Sequence, residues 1–268
     1  MTWNVLHEDG EPAGGHDLAA RRRQRLGVII ESRGAVRLDE LSHALGVSQA
    51  TIRRDLSALE AGGRVRRVHG GAVAVDQRLD EPHFDVKAAA AASEKQRIAA
   101  RALELIAPDD TIYLDSGSTV LALARLLHGR GRLTVVTNSL PVATELVGRG
   151  PRLILVGGEL RATSRALVGP LTRLLLDELH VDRAFMGTFA LAVDDGLTTT
   201  DPSEAYTKQL VLSRAREVIL LADATKLGTR SFVRAGRLDD IDILITDAAL
   251  DERTARIFKR RGIRVIAA

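Results

Sequence analysis

Gly46-Val47-Ser48-Gln49-Ala50-Thr51-Ile52-Arg53-Arg54-Asp55-Leu56-Ser57-Ala58-Leu59-Glu60 is the stretch on which the first part of the fold turns. A glycine breaks one short apolar period, Ser48 follows as a helix N-cap, and Ile52, Leu56 and Leu59 then recur at the spacing of a single helix face. Upstream, residues 38–45 form another short helical period, stopped by Gly46. Residues 18–32 form a third, with Leu18, Leu26, Ile29 and Ile30 on one side and arginines on the other. Two short helices joined by a Gly46-centred turn predict a helix-turn-helix, whose second member enters the DNA major groove through its N-terminal residues.

Those residues are Ser48, Gln49, Thr51, Arg53 and Arg54. Gln and Arg read base edges through paired hydrogen bonds, while Ser, Thr and a helix N-terminus hold phosphates. After Gly62-Gly63, the run Arg64-Val65-Arg66-Arg67-Val68-His69-Gly70-Gly71-Ala72-Val73 sets β-formers on both sides of a glycine pair. It predicts a two-stranded wing that presents Arg64, Arg66, Arg67 and His69, with Gly70 at its turn, to a neighbouring phosphate or the minor groove. Residues 18–75 hold eleven arginines against five carboxylates, whereas the first 17 residues carry four acids and no Lys or Arg, in a chain of net charge +3. The electrostatic footprint for a polyanion therefore belongs to this block. From charge and period alone, a basic helical hairpin packed on a protein partner is the competing reading.

The chain has 268 residues, 45% hydrophobic and 27% charged, enough for two folded domains. It contains no cysteine, which excludes disulfides, zinc–thiolate sites and thiol nucleophiles. No apolar run approaches the roughly 18 residues of a membrane helix, and the acidic N-terminus is the reverse of a signal peptide, so a cytoplasmic protein with no membrane partner is expected. Residues 1–17 read as a disordered leader, 18–75 as the DNA-binding domain and 76–93, with Pro82 and an alanine run, as a linker. From 94 to 268, strand patterns at 111–115, 133–137, 152–156, 182–187, 217–222, 241–246 and 263–267 alternate with helical ones. The helical patterns fall at 94–107, 118–128, 139–148, 169–178, 203–215 and 251–261. Such alternation predicts an α/β domain built on a mostly parallel sheet.

The first of these strands runs into Asp115-Ser116-Gly117-Ser118-Thr119 and then a helix, a small-residue loop that offers N–H groups and hydroxyls to an anion such as phosphate. A helix N-cap after any strand looks similar. Other strands end in Asn138-Ser139, Gly157-Gly158, Gly187 and Asp223, and in open α/β sheets such ends converge on one crevice. Lysine usage is a separate signal, because the chain has 33 arginines but five lysines, and between residues 96 and 258 only Lys208 and Lys226. A compact ammonium near a sugar or phosphate is one reason to keep them. Glu204, one helical turn before Lys208, equally suggests a plain helix-stabilising pair.

The segment from Gly46 to Gly71 closely resembles the DNA-binding signature of DeoR-family regulators. The stretches Asp115 to Thr119, Val136 to Ser139, Val156 to Glu159, Val168-Gly169-Pro170, Gly196-Leu197-Thr198-Thr199 and Leu221-Ala222-Asp223 through Lys226 resemble the sensor domain of the same family. The resemblance implies a fold similar to ribose-5-phosphate isomerase and the coenzyme A transferases. It also implies a repressor whose phosphorylated-sugar effector weakens binding to double-stranded operator DNA, with no cofactor, metal or catalytic residue. Two departures stand out: Gly187-Thr188-Phe189-Ala190 replaces a Gly-Ala-x-Gly pattern, making the pocket wall bulkier, and Lys87 stands where arginine is usual. A sugar-phosphate isomerase that uses Asp115, Glu204 and Lys208 is the alternative function. A sequence-indifferent DNA binder is a third, for which the α/β domain would be superfluous. A homo-oligomer, dimer or tetramer, is expected because a single helix-turn-helix touches too few bases.

Overall fold

The structure, a computed structural model, describes residues 15–33, 35–61, 65–68, 70–74 and 81–268. The chain packs as two units that divide between residues 76 and 77. The first runs α1 (Gly15–Arg33), β1 (Ala35–Arg37), α2 (Leu38–Leu45), α3 (Gln49–Ala61), β2 (Val65–Val68) and β3 (Gly71–Ala74). Residues 15–17, expected in the leader, already belong to α1. An apolar period marks only a helix's packing face, and a helix needs none in its first turn.

Gly46, at φ +64°, supplies the left-handed residue that ends α2 and turns the chain into α3. Ser48 Oγ accepts the Thr51 amide at 3.3 Å, the N-cap bond expected of it. Leu26, Ile30, Leu41, Ile52, Leu56 and Leu59 are buried together, so α1, α2 and α3 close one small core. The three strands form an antiparallel sheet in the order β1-β3-β2. β1 has three residues, too few to show a period, and was not foreseen. At Gly71 a Cβ would lie 2.3 Å from the Val36 carbonyl oxygen. Gly71→Ala should therefore cost this unit about 1–3 kcal/mol through overpacking, read as an earlier thermal transition. Gly157→Ala, whose methyl meets nothing within 4 Å, should melt like the parent.

The second unit opens with α4 (Phe84–Ala89), α5 (Ala92–Leu103), β4 (Thr111–Leu114), α6 (Ser118–Ala124), β5 (Thr134–Thr137), α7 (Leu140–Leu146) and β6 (Arg152–Leu155). It continues through β7 (Glu159–Arg161), β8 (Ala166–Val168), α8 (Arg173–Leu176), β9 (Val181–Gly187), β10 (Ala190–Ala192), β11 (Gly196–Thr199) and α9 (Pro202–Leu212). β12 (Ala215–Leu221), β13 (Val233–Gly236), β14 (Ile243–Thr246), α10 (Glu252–Arg260) and β15 (Arg264–Ala267) complete it.

The seven strands expected from the sequence are the seven strands of one parallel sheet, in the order β15-β14-β12-β9-β4-β5-β6. Alternation within each strand fills two cores. Ile112, Leu114, Val135, Phe185, Ile219 and Ile245 pack under α5, α6 and α7, while Tyr113, Ala184, Met186, Leu220 and Leu244 face α9 and α10. Strands β5 and β6 leave β4 on one side, and β9, β12, β14 and β15 lie on the other. The order thus reverses between β4 and β9, and ligands in open α/β sheets bind beyond the carboxyl ends at such a reversal.

Two antiparallel additions, the β7–β8 hairpin and the sheet β10-β11-β13, are built from strands of three or four residues and escaped the sequence reading. Residues 81–93 are not a linker. They carry α4 and the start of α5, and Phe84 is buried in the core. A six-residue helix shows less than two turns of periodicity, and Pro82 with the alanine run imitated a connector. Among the described residues no helix is long and apolar enough to cross a membrane.

Candidate functional site

In the first unit, Ser48 at the N-cap of α3 and Gln49, Arg53 and Arg54 on that helix are exposed, and Thr51 is half-buried. Gln49 and Arg53 stand one helical turn apart and so share a face, which flanks the buried stripe of Ile52, Leu56 and Leu59. Ser48 Oγ lies 3.0 Å from Thr51 Oγ1, so those hydroxyls organise the N-terminus of α3. Asp55, beside the two arginines, is buried and accepts from Arg22 Nε at 2.6 Å, which pins α3 to α1. Arg67 is committed as well. Its Nε donates to Glu60 Oε2 at 2.7 Å, its amide to Glu60 Oε1 at 2.9 Å and its Nη1 to Ser57 Oγ at 3.0 Å, tying β2 to α3. These bonds, the Arg67 amide first, hold the Glu60 carboxyl below its usual range. Arg66 lies on β2, Gly70 forms the wing turn at φ +85°, and Arg64 and His69 lie outside the described residues.

In the second unit, the two strands flanking the reversal meet through Asp115 and Gly187. The Asp115 amide donates to the Phe185 carbonyl at 3.1 Å, and Asp115 Oδ2 accepts the Gly187 amide at 3.0 Å. A Cβ at Gly187 would lie 2.9 Å from the Ser116 carbonyl oxygen, so only glycine permits this approach. Lys208, on α9, pairs with Asp115 Oδ2 and donates to the Gly187 carbonyl at 3.1 Å, both side chains almost fully buried. Burial alone would push the Lys208 pKa down, but Asp115 and Glu204 raise it above the ordinary lysine value. Lys208 thus spends its hydrogen bonds on Asp115 and Gly187, and Glu204, one turn before it, acts on it through charge. Glu204 itself accepts from Ser116 Oγ at 3.4 Å and Thr199 Oγ1 at 3.3 Å, and faces Arg161 Nη1 at 3.3 Å. Burial pushes the Glu204 carboxyl up, opposed by Lys208 and Arg161.

Gly117, at φ +138°, is the N-cap residue of α6, and Thr119 is buried on that helix. Ser118 Oγ donates to the Lys87 carbonyl at 3.2 Å. Lys226 follows Asp223, whose carboxylate caps the turn through the Thr225 amide at 3.0 Å. The Lys226 ammonium lies 5.4 Å from the centre of the Phe189 ring, the bulky residue of the departed loop. The structure does not bring Asn138, Ser139, Gly157 or Gly158 into this cluster. Asn138 bonds the Leu167 carbonyl at 3.0 Å, Ser139 caps α7, and Gly158 fits tightly against Val168 and Thr172, so this set carries the β7–β8 hairpin. Gly157 adjoins it with open space around its Cα.

Several residues of the cluster went unread in the sequence. Glu81 is buried, with Thr200 Oγ1 donating to its Oε2 at 2.7 Å, Arg161 Nη1 2.8 Å from the same oxygen and Lys87 paired to Oε1. Burial would raise its pKa, yet Lys87, Thr200 and Arg161 hold the carboxyl below its usual range. Lys95, buried on α5, donates to the carbonyls of Lys87 and, at 2.5 Å, Ala90. Four of the five lysines, Lys87, Lys95, Lys208 and Lys226, thus gather in one place. The scarcity of lysine is the signal for all four, and it reaches beyond residues 96–258. Among the described residues no group of His, Asp or Glu side chains could hold a metal ion.

Residues 22–78 match the DeoR-like helix-turn-helix domain and residues 90–248 the DeoR C terminal sensor domain. The HTH-type transcriptional regulator GlpR of Haloferax volcanii is 38% identical over 93% of this chain and 98% of its own length. GolR of Listeria innocua is 36% identical over 91% and 96%, and the lactose phosphotransferase system repressor of Streptococcus mutans 34% over 89% and 96%. Ribose 5-phosphate isomerase A of Methanocaldococcus jannaschii superposes with a TM-score of 0.37 at 22% identity over 50% of this chain and 53% of that one, an overlap too slight to carry weight. Two domains matched in order and regulators aligned end to end make the chain a member of the DeoR family of helix-turn-helix transcriptional regulators.

Proposed function

We propose that the chain is a cytoplasmic repressor of genes for carbohydrate use, that α3 reads operator DNA, and that a phosphorylated sugar bound at the β4–β9 reversal weakens that grip. Relatives named as a lactose phosphotransferase system repressor and a putative aga operon transcriptional repressor favour this assignment of pathway class. The observation that carries the ligand reading is a pair of cations with no carboxylate at ion-pair distance among the described residues. Lys95 is buried against backbone carbonyls, and half-buried Lys226 faces the Phe189 ring. Burial depresses both lysine pKa values, with Asp223 opposing it, while Lys87 adds to the depression. An anion placed there supplies the missing partner. The carboxylates an isomerase would need are already committed, Asp115 to Lys208 and the Gly187 amide, Glu204 to Ser116, Thr199 and Arg161. The site is therefore a receptor rather than a catalyst. Two-fold operator reading makes the DNA-bound form a dimer or tetramer.

The test is a thermal-shift screen of phosphorylated sugars against the full chain, since a fragment beginning at residue 94 would lack Glu81 and Lys87. A ligand at 100 times its Kd stabilises by about 2.7 kcal/mol, and the same compound should release operator DNA. If no phosphorylated sugar stabilises the protein, the reading fails. Because burial already depresses Lys95 and Lys226, affinity for the hit should begin to fall below the pH of ordinary lysine titration. Titration calorimetry at alkaline pH, in buffers of different ionisation enthalpy, should show proton uptake on binding.

A further inference from the structure

The donors best placed for an anionic ligand are already faced by acceptors from one short segment of the chain itself. Residues 81–90 present three acceptors to them. The Glu81 carboxylate takes Thr200 Oγ1, Arg161 and Lys87. The Lys87 carbonyl takes Ser118 Oγ and the Lys95 ammonium, and the Ala90 carbonyl takes Lys95 again. One carboxylate and two carbonyls thus stand where a phosphoryl group and its oxygens would otherwise find partners. Elsewhere the segment is held by the Phe84 ring in the core, by the Phe84 amide on the Thr163 carbonyl at 3.0 Å, and by Asp85 on Arg165 at 2.5 Å.

We infer that residues 81–90 are an internal ligand mimic, with Glu81 as resident counter-anion, and that an anionic effector binds by displacing their acceptors from Arg161, Thr200, Ser118 and Lys95. This rests on the reading of the site as an effector pocket and adds how occupancy is signalled. Arg161 is the natural point of exchange. Its planar fork faces Glu81 at 2.8 Å, Glu204 at 3.3 Å and Asp201 at 3.4 Å, and a phosphate dianion with three acceptor oxygens outcompetes a single carboxylate for it. In sequence, Glu81 follows the last residue of β3, Ala74, by seven positions. The segment that gives way is therefore the one through which the chain continues to its DNA-binding unit. Docked and ligand-bound states exclude each other, so the effector's differential affinity for them is the coupling free energy that regulation requires.

The experiment uses the full chain and inorganic phosphate as probe. Glu81→Gln keeps the shape and removes the charge, so the docked segment is weakened. Phosphate should bind the variant at least about tenfold more tightly than the parent, because apparent affinity scales with the fraction of competent sites. Hydrogen exchange on the parent gives an independent reading that survives a variant that fails to fold. Saturating phosphate should speed exchange at the amides of Phe84, Lys87 and Ala90, which bond Thr163, His83 and Val86, while β4 and β9 exchange no faster. Equal or weaker phosphate binding by Glu81→Gln, or slower or unchanged exchange at those amides in the phosphate-bound parent, overturns the mimic and leaves the effector pocket standing. Absence of phosphate binding by both proteins removes the pocket and the mimic together.

Discussion

Replacing Arg53 and Arg54 together by alanine should leave the protein folded and weaken operator binding by roughly 1–3 kcal/mol for each bidentate hydrogen-bond pair to a base that disappears. That is about five- to 150-fold for each pair. The fold is spared because both side chains are exposed and neither makes a side-chain bond among the described residues, in contrast to Arg22 and Arg67. Single variants separate the roles. Arg53 shares the Gln49 face, so Arg53→Ala should relax preference at one operator position. An arginine that meets only phosphate should instead weaken all sequences alike and lower the salt dependence by about one counterion. Arg67→Ala behaves differently, because it frees β2 from Glu60 and Ser57 and should lower thermal stability as well as affinity. Fluorescence anisotropy across a salt series, with melting curves for each variant, reads all of this. Unchanged operator binding by the double variant would remove α3 from the interface.

What the sequence revealed, and what it hid, follows from the range of the forces involved. The helix-turn-helix was legible because Gly46, Ser48 and the Ile52, Leu56, Leu59 stripe are local signals. Each acts within a turn or two of helix, and each does the same job in the structure. The parallel sheet was legible for a related reason, since strands buried on both faces are continuous apolar runs with small residues after them. At the site the loop Asp115 to Thr119 and the lysines Lys208 and Lys226 were visible as chemistry. Their partners were not. Glu81 and Arg161 are 80 residues apart, and Arg161 lies on a three-residue strand that has no measurable period. Asn138 and Gly158 show the converse ambiguity. Small polar residues after a strand serve a hairpin as readily as a ligand, and only their bonds to Leu167 and their fit against Val168 tell the two apart.

Lys208→Met is the substitution expected to cost the second unit most. It leaves the Asp115 carboxylate buried with no cation, and breaking such a pair from one side costs about 3–5 kcal/mol. For a unit of this size that is on the order of 10 °C in the midpoint of a calorimetric melt. The loss should be present across the neutral range. Asp115 and Glu204 raise the Lys208 pKa above its unfolded value, so its contribution is complete below the ordinary lysine range and fades only as pH rises through the folded value. Adding Asp115→Asn to Lys208→Met should recover part of the stability, because the orphaned charge is then gone and the Gly187 amide keeps an acceptor. Lys226→Met provides the contrast. Lys226 is half-buried and has no carboxylate at ion-pair distance among the described residues, so its loss strands no charge and should shift the melt little while weakening effector binding. Two lysines in one cluster are thus separated by experiment: one holds β4 to β9, and the other is the cation proposed to receive an anion. If Lys208→Met melts with the parent, Asp115 is not held as the geometry has it, and the meeting of the two strands at the reversal must have another cause.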